Sequence, residues 1–213
     1  MSDEPVYRIT LLRHAESIGN AEERLQGHAD YPLSARGRAQ ALALARRWKT
    51  EAITFDHIIS SPLSRALETG QIVAAELGLP PPETDPLWLE RDTGEHSGMT
   101  WDEIERPPAV DCADPSVQSV AAQEGDSALY QRAQAALSSL LARPPARYLV
   151  TSHRAILNMV LDAILGISPQ PNSYSGGRFR LRNGAFSRLR FYPQTQRWQI
   201  DVIGERSHWT GDQ

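Results

Sequence analysis

The chain reads as an α/β domain with a largely parallel central sheet and an antiparallel hairpin near its end. Three observations predict this. Short apolar, β-branched runs at 6–13, 57–60 and 148–152 alternate with longer stretches of helical period. A closing pair of runs, 185–192 and 197–203, has Pro193 near the turn between them, as a hairpin requires. Hydrophobic residues make up 40% of the 213 positions and charged residues 23%, enough apolar surface for one sizeable core. No repeat, low-complexity tract or composition break divides the chain, so 1–213 is expected to be a single domain.

Each element has a local reason. Residues 6–13 form the first strand, and Gly19-Asn20 is expected to turn the chain after it. A helix follows over 34–50, capped by Ser34, with Ala41, Leu44, Ala45 and Trp48 on one face. Ile58 and Ile59 centre the second strand. Pro62 is expected in the first turn of the next helix, which Gly78 ends. Pro80, Pro81 and Pro82 then break regular structure, and 87–98 is expected to be irregular. A helix over 127–143 carries Leu129, Ala133, Ala136 and Leu140 at helical spacing and stops before Pro144-Pro145. The third strand leads into a helix over 155–165, stopped by Gly166. Residues 107–126, rich in Pro, Asp, Ser and Gln, are the expected mobile insertion.

Composition excludes several classes. A formal net charge of -4 argues against a chain built to coat nucleic acid or an anionic membrane. Cys112 is the only cysteine, so there is no intrachain disulfide and no cysteine-based metal site. No basic-then-apolar leader opens the sequence and no run approaches the ~20 apolar residues of a spanning helix. The expectation is a cytoplasmic protein without a membrane partner.

Ligands of an open α/β sheet bind outside the carboxyl ends of its strands. The first strand delivers Arg13 and His14 there. The second delivers Ser60-Ser61, then Arg65 about one turn into its helix. The third delivers Thr151, Ser152, His153 and Arg154 ahead of a helix N-terminus. Two histidines with arginines from separate strands make an anion site, phosphate above all, because guanidinium forks and helix N-termini both suit phosphate oxygens. Singly, each has a plainer reading: a loop start, a solvated arginine, a hydrogen-bonded histidine. Their shared edge favours the functional one.

The motifs carry a resemblance. "LLRHAESIGN" (11–20), "QGHADYPLSARGRAQA" (26–41), "SSPLSRALETG" (60–70), "LERDTGEHSG" (89–98), "VTSHRAILNMVLDAILG" (150–166) and "NGAFSRLRF" (183–191) resemble, in order and over nearly the whole chain, the histidine phosphatase superfamily, also called phosphoglycerate mutase-like. The resemblance implies a three-layer α/β/α sandwich and a phosphohistidine mechanism without metal or cofactor. His14 is then the nucleophile. Arg13, Arg65 and His153 hold the phosphoryl oxygens and Asn20 adds a neutral donor; Gly27 and Arg154 are counted beside them as candidate substrate contacts. Glu90, four residues before Gly94 in a Gly-x-x-x-Gly block, is implied as general acid and then base. Asp92 and Glu95 are its neighbouring rivals, and pairing with Arg91 or Arg13 is its plainer reading.

Two positions depart from the family pattern. Ala15 replaces the commoner glycine, a familiar variant. Arg154 replaces the glycine usual after the second histidine; its side chain either points into solvent or recognises a second anionic group. A small phosphorylated molecule is the implied partner. Two alternatives stay open. A cofactor-dependent mutase of the same core carries a longer basic and aromatic insertion, which the acidic 101–130 lacks, while 124–134 resembles the phosphatase branch. A catalytically silent phosphate- or phosphoprotein-binding module usually loses the nucleophile, a clamp arginine or the acid, and all are present. Specificity is assigned to the rim: His28, Tyr31, His96, Trp101 and 174–180, with Arg178, Arg180 and Arg182 alternating along one segment.

Overall fold

A computed structural model describes residues 4–105, 123–169 and 177–211. Cys112 and nearly all of the expected 107–126 insertion lie outside those residues. The described strands are β1 (Tyr7–Arg13), β2 (His57–Ser60), β3 (Glu83–Thr84), β4 (Arg147–Ser152), β5 (Phe186–Tyr192) and β6 (Arg197–Glu205). They form one sheet in the order β3-β2-β4-β1-β5-β6. The first four run parallel, and β5 and β6 are antiparallel additions at one side. The largely parallel sheet and the C-terminal hairpin are therefore as the sequence predicts.

Alternation along the central strands builds the layers. Tyr7, Ile9 and Leu11 of β1, with Tyr148 and Val150 of β4, pack on the side of α5 (Asp126–Leu141) and α6 (Arg154–Ile164), together with Leu129, Ala133 and Leu157. Leu12, Ile58 and Leu149 point the other way, onto Leu44, Ala45 and Trp48 of α2 (Ala35–Thr50) and Val73 of α3 (Ser64–Leu77). Two helix layers sandwich the sheet.

Caps close the helices as the residue types dictate. The Ser34 side chain accepts from the Gly37 N–H at 2.9 Å, opening α2. Gly78 adopts φ 69° beyond α3 and Gly166 φ 70° beyond α6, left-handed positions that favour glycine.

Three expectations are corrected. Gly19 and Asn20 do not turn the chain; they belong to a short helix α1 (Ile18–Ala21), because Ser17 and Asn20 form a reciprocal cap. Pro62 lies outside α3, which starts at Ser64 with its N–H and hydroxyl both donating to the Asp30 carboxylate at 2.8 Å. That cap comes from a distant loop, so local reading placed the start too early. Within 87–98 the chain is not wholly irregular: Gly94–His96 is a 3-10 turn, and another, Pro86–Trp88, leads into the stretch. A five-residue helix, α4 (Trp101–Glu105), was also not expected.

Candidate functional site

β1 and β4 are neighbours in parallel register, Arg13 opposite Ser152, so their next residues emerge together. The His14 N–H donates to the Ser152 carbonyl at 2.8 Å. The rings of His14 and His153 consequently stand 5.1 Å apart, centroid to centroid, and tilted by 57°. His14 is 3% exposed and His153 fully buried. His14 Nδ1 lies 2.7 Å from the Ala15 carbonyl. A carbonyl only accepts, so Nδ1 carries the proton and Nε2 is the bare nitrogen of the neutral ring.

The loop after His14 is pinned from both helices on that side. The Ala15 N–H donates to Thr69 Oγ1 of α3 at 3.1 Å, and the Glu16 N–H to Gln40 Oε1 of α2 at 3.0 Å. The Glu16 carbonyl accepts from the Ser34 N–H at 2.9 Å. A Cβ at Gly37 would stand 1.9 Å from that carbonyl oxygen, so only glycine lets α2 approach the loop this closely.

Arg65, second residue of α3, is 1% exposed. Its two terminal nitrogens donate to the carbonyls of Gly27 at 2.8 Å and Ala29 at 2.9 Å, while Nε is buried without a partner. Gly27 holds φ 48°, and a Cβ there would meet Thr93 Oγ1 at 2.0 Å, so this residue seats the guanidinium with its carbonyl and admits no side chain. Arg13 donates to the Leu181 carbonyl at 2.8 Å and also leaves Nε buried and unpartnered. His153 Nε2 meets Ser61 Oγ at 2.7 Å, and Ser61 Oγ in turn accepts from the Leu63 N–H at 3.3 Å. The hydroxyl has one proton to donate, and among the described residues Nε2 is its only acceptor, so Ser61 donates to Nε2. The His153 proton then sits on Nδ1, a buried nitrogen without a partner.

Glu90 stands before the N-terminus of α6. Its carboxylate accepts from the N–H groups of Arg91 at 2.9 Å, Ala155 at 3.1 Å and Ile156 at 3.4 Å. Arg132 of α5 clamps the same segment from behind, donating to the carbonyls of Leu87, Leu89 and Glu90 and to Glu124. The rivals point elsewhere. Asp92 Oδ1 accepts from the Gly94 N–H at 2.8 Å and Oδ2 lies 3.9 Å from His28 Nδ1, and Glu95 does not line the cleft.

Asn20 Oδ1 accepts from the Ser17 N–H at 3.2 Å and Asn183 Nδ2 at 2.9 Å, which leaves its amide nitrogen as the donor. His14, Arg13, Asn20, Gly27, Arg65, Glu90 and Arg154 all line one cleft of about 400 Å³, with His153 packed against the His14 ring. Trp101, 51% exposed, stands in its lining.

The charges converge without matching acids. Burial, then Arg65 and Arg13, lower His14 well below the usual imidazole range. Burial, then Arg65, His14, Arg13 and His28, do the same to His153. Arg13 is lowered to about 10 by burial and then by Arg154, with Arg65 and Arg206 adding to the effect and Glu90 opposing it. Burial lowers Arg65 too, against Glu90 and Asp30. This is a site short of negative charge. Among the described residues no three His, Cys, Asp or Glu side chains gather as metal ligands.

The expected rim is only partly assembled. His28 Nε2 contacts the Glu90 carbonyl at 2.8 Å, and His96 contacts Gln123. Arg178 leaves the cleft to pair with Asp162 at 3.1 Å. Arg182 lines a second cavity of about 300 Å³ with Arg13, Arg36 and Arg206. Residues 174–176 lie outside the described residues.

Sequence reasoning missed three supporting residues: Ser61 as partner of His153, Arg132, and Asn183. Asn183 Nδ2 reaches the His14 carbonyl at 3.2 Å and the Ala15 carbonyl at 3.4 Å as well as Asn20. β5 is antiparallel to β1, so the residues just before it, not after it, reach the site. That signal was available in the hairpin and its quoted "NGAFSRLRF" stretch.

Comparisons with known proteins bear on the family and the fold. A model of the histidine phosphatase superfamily (branch 1) matches residues 9–205. A Proteus mirabilis (strain HI4320) protein named "Probable phosphoglycerate mutase GpmB" is 35% identical over 217 residues, covering 96% of each chain. The solved Bacillus stearothermophilus YhfR is similar at TM-score 0.77 and 28% identity, over 95% of this chain and 98% of that one. A mycobacterial glucosyl-3-phosphoglycerate phosphatase, Rv2419c, shares the fold at TM-score 0.72 and 23% identity, over 93% and 99% of the two chains.

Proposed function

The chain belongs to the histidine phosphatase superfamily, and from that premise we propose that it is a metal-independent phosphatase of small phosphomonoesters, working through phosphohistidine on His14. One observation carries the reading: a buried, neutral His14, its Nδ1 proton held on the Ala15 carbonyl, lines a cleft with Arg13 and Arg65. A phosphate dianion entering there meets two guanidinium groups and an unprotonated nitrogen.

His14 Nε2 attacks phosphorus as the ester P–O bond breaks, forming P–N and releasing the alkoxide. Glu90, carrying a proton into this step, delivers it to the alkoxide, and the alcohol leaves. Water then attacks phosphorus, forming a P–O bond as P–N breaks; Glu90 takes the water's proton, the electron pair returns to Nε2, and orthophosphate departs. Arg13, Arg65, the His153 Nδ1 proton and the Asn20 amide hold the equatorial oxygens, stabilising charge that spreads over them in transfer. Ser61 and Gly27 position His153 and Arg65.

A mutase is the second reading, favoured by the names of curated relatives such as the Proteus mirabilis protein. It shares the first step and differs in where the phosphoryl group goes next.

The test is phenyl phosphate turnover with EDTA present, quenched in alkali and searched by mass spectrometry for phosphohistidine at position 14. Free orthophosphate equal to phenol released, with a trapped adduct lost in His14→Ala, is the expected result. Transfer of label to a second alcohol without orthophosphate would establish the mutase. Undiminished turnover by His14→Ala would overturn the mechanism.

A further inference from the structure

Cations at the cleft mouth differ in how far the protein itself uses them. Arg24 is bound to Glu22 at 2.6 Å and to the Gly98 carbonyl at 2.9 Å, with Glu103 at 3.8 Å. Arg91 pairs with the buried Asp126 and donates to the Glu124 carbonyl at 3.2 Å. Arg154 is different. It is exposed, it lines the same cleft, and among the described residues its guanidinium makes no hydrogen bond or ion pair, not even with the cleft carboxylates Glu23 and Glu90.

Its place in the chain sets that charge against another. Arg154 directly follows His153 and opens α6, close enough to Arg13 for the two charges to repel. Arg13 and Arg65 already face the phosphoryl group, and a third guanidinium nearby adds like charge to a site where acids are few. A neutral side chain there would relieve the repulsion. Where a small residue would leave the cleft open, the protein keeps a long cation beside its nucleophile's partner.

We propose that Arg154 binds a second anionic group on the alcohol half of the substrate, so that the preferred substrates are small phosphomonoesters bearing a carboxylate or a second phosphate a few bonds from the ester oxygen. This rests on the phosphatase reading and narrows its substrate class. The short spacing follows from the cleft: Arg13, His14, Arg65 and Arg154 line one space of about 400 Å³, so both anions of the substrate must fit within it. The phosphoryl group sits on Arg13, Arg65 and His153, while the second anion sits on the Arg154 fork, toward solvent. A carboxylate and a phosphate both suit that fork, so the probes must separate them.

The experiment compares kcat/KM for carboxymethyl phosphate with that for ethyl phosphate, and for ethane-1,2-diyl bisphosphate with ethyl phosphate, in the wild type, Arg154→Ser and Arg154→Lys. The wild type is expected to favour at least one bifunctional ester by about tenfold or more, the effect of a hydrogen bond to a charged group. That ratio should collapse toward one in Arg154→Ser, mainly through KM, and recover in part in Arg154→Lys. The member of the pair that shows the collapse identifies the second anion. A ratio near one in the wild type, or one that survives Arg154→Ser, overturns the inference while leaving the phosphatase intact. No turnover of any of the three esters by the wild type removes both.

Discussion

Arg65 and Arg154 are the same residue type in the same cleft, and the protein treats them in opposite ways. Arg65 is almost fully buried, with both terminal nitrogens spent on the carbonyls of Gly27 and Ala29. Arg154 is exposed and, among the described residues, its guanidinium has no partner. The contrast extends to their surroundings. At the inner end, His14, His153 and Arg65 are held by groups from several elements and excluded from water. At the mouth, Trp101 and Arg154 stand on helix ends, open to solvent. A cation fixed by carbonyls has one geometry and needs no reorganisation when charge develops beside it, which suits chemistry. A cation left in water can adapt to what arrives, which suits selection among substrates. Catalysis and recognition thereby fall to different regions of one cleft.

The sharpest way to break that division is at Glu90, which joins the inner end to the mouth. Glu90→Gln keeps an acceptor for the Ala155 and Ile156 N–H groups but has no proton to deliver. With an alkyl phosphate, kcat/KM should fall by about 10²–10⁴, and far less with a p-nitrophenyl ester, whose leaving group needs no acid. Steady-state rates across a series of leaving-group pKa values check this; equal losses at both ends would make Glu90 only a structural anchor of α6.

Arg65→Lys tests the inner end alone. An ammonium cannot span both the Gly27 and Ala29 carbonyls and still face a phosphoryl oxygen, so kcat should drop by about 10²–10³. Melting temperature measured beside it separates this loss from unfolding, since the variant also leaves a buried carbonyl unpaired.

Acid exposes the inner end a third way. His14 and His153 have folded-state values below 6.5, so the folded protein resists binding protons that the unfolded chain accepts. Their contribution is whole above pH 6.5 and is lost as pH falls from there, at up to about 1.4 kcal/mol per pH unit for each histidine. His208, lowered to about 4 chiefly by burial, adds in the same direction between 6.5 and 4. Denaturant midpoints should therefore decline steadily from pH 7 to pH 5. A flat profile over that range would mean that the two rings are not held neutral.

The smallest effect belongs to the mouth. Trp101→Ala removes an exposed ring that shields part of the cleft, and should change KM by about threefold or less with kcat retained, because surface substitutions rarely exceed ~0.5 kcal/mol. A loss in kcat as large as that of Arg65→Lys would erase the distinction between the two regions.

Much was legible in the sequence because it was local. Alternating apolar residues in 6–13 and 148–152, the Ser34 cap and the glycines at 78 and 166 each act over a few positions, so periodicity and residue type located three of the four parallel strands and most of the helices; the two-residue β3 (Glu83–Thr84), too short to show a period, went unread. The convergence of His14, Arg65 and His153 on one edge was equally readable, since parallel strands must end on the same side. What depended on distant chain was not. Asp30 capping Ser64, Arg132 clamping the Glu90 segment, and Asn183 arriving from the start of an antiparallel strand all involve partners more than 30 residues apart.

The sequence by itself therefore determined the α/β class, the strand ends and the identity of the charged groups, because these follow from chain periodicity and side-chain chemistry. Only the tertiary structure decided which nitrogen of His14 carries the proton, that Ser61 orients His153, and that Arg65 is anchored by carbonyls while Arg154 is not. Those outcomes depend on which neighbours fold beside each side chain and whether water can reach it. Burial and hydrogen-bond partners, unlike residue type, exist only once the chain has folded.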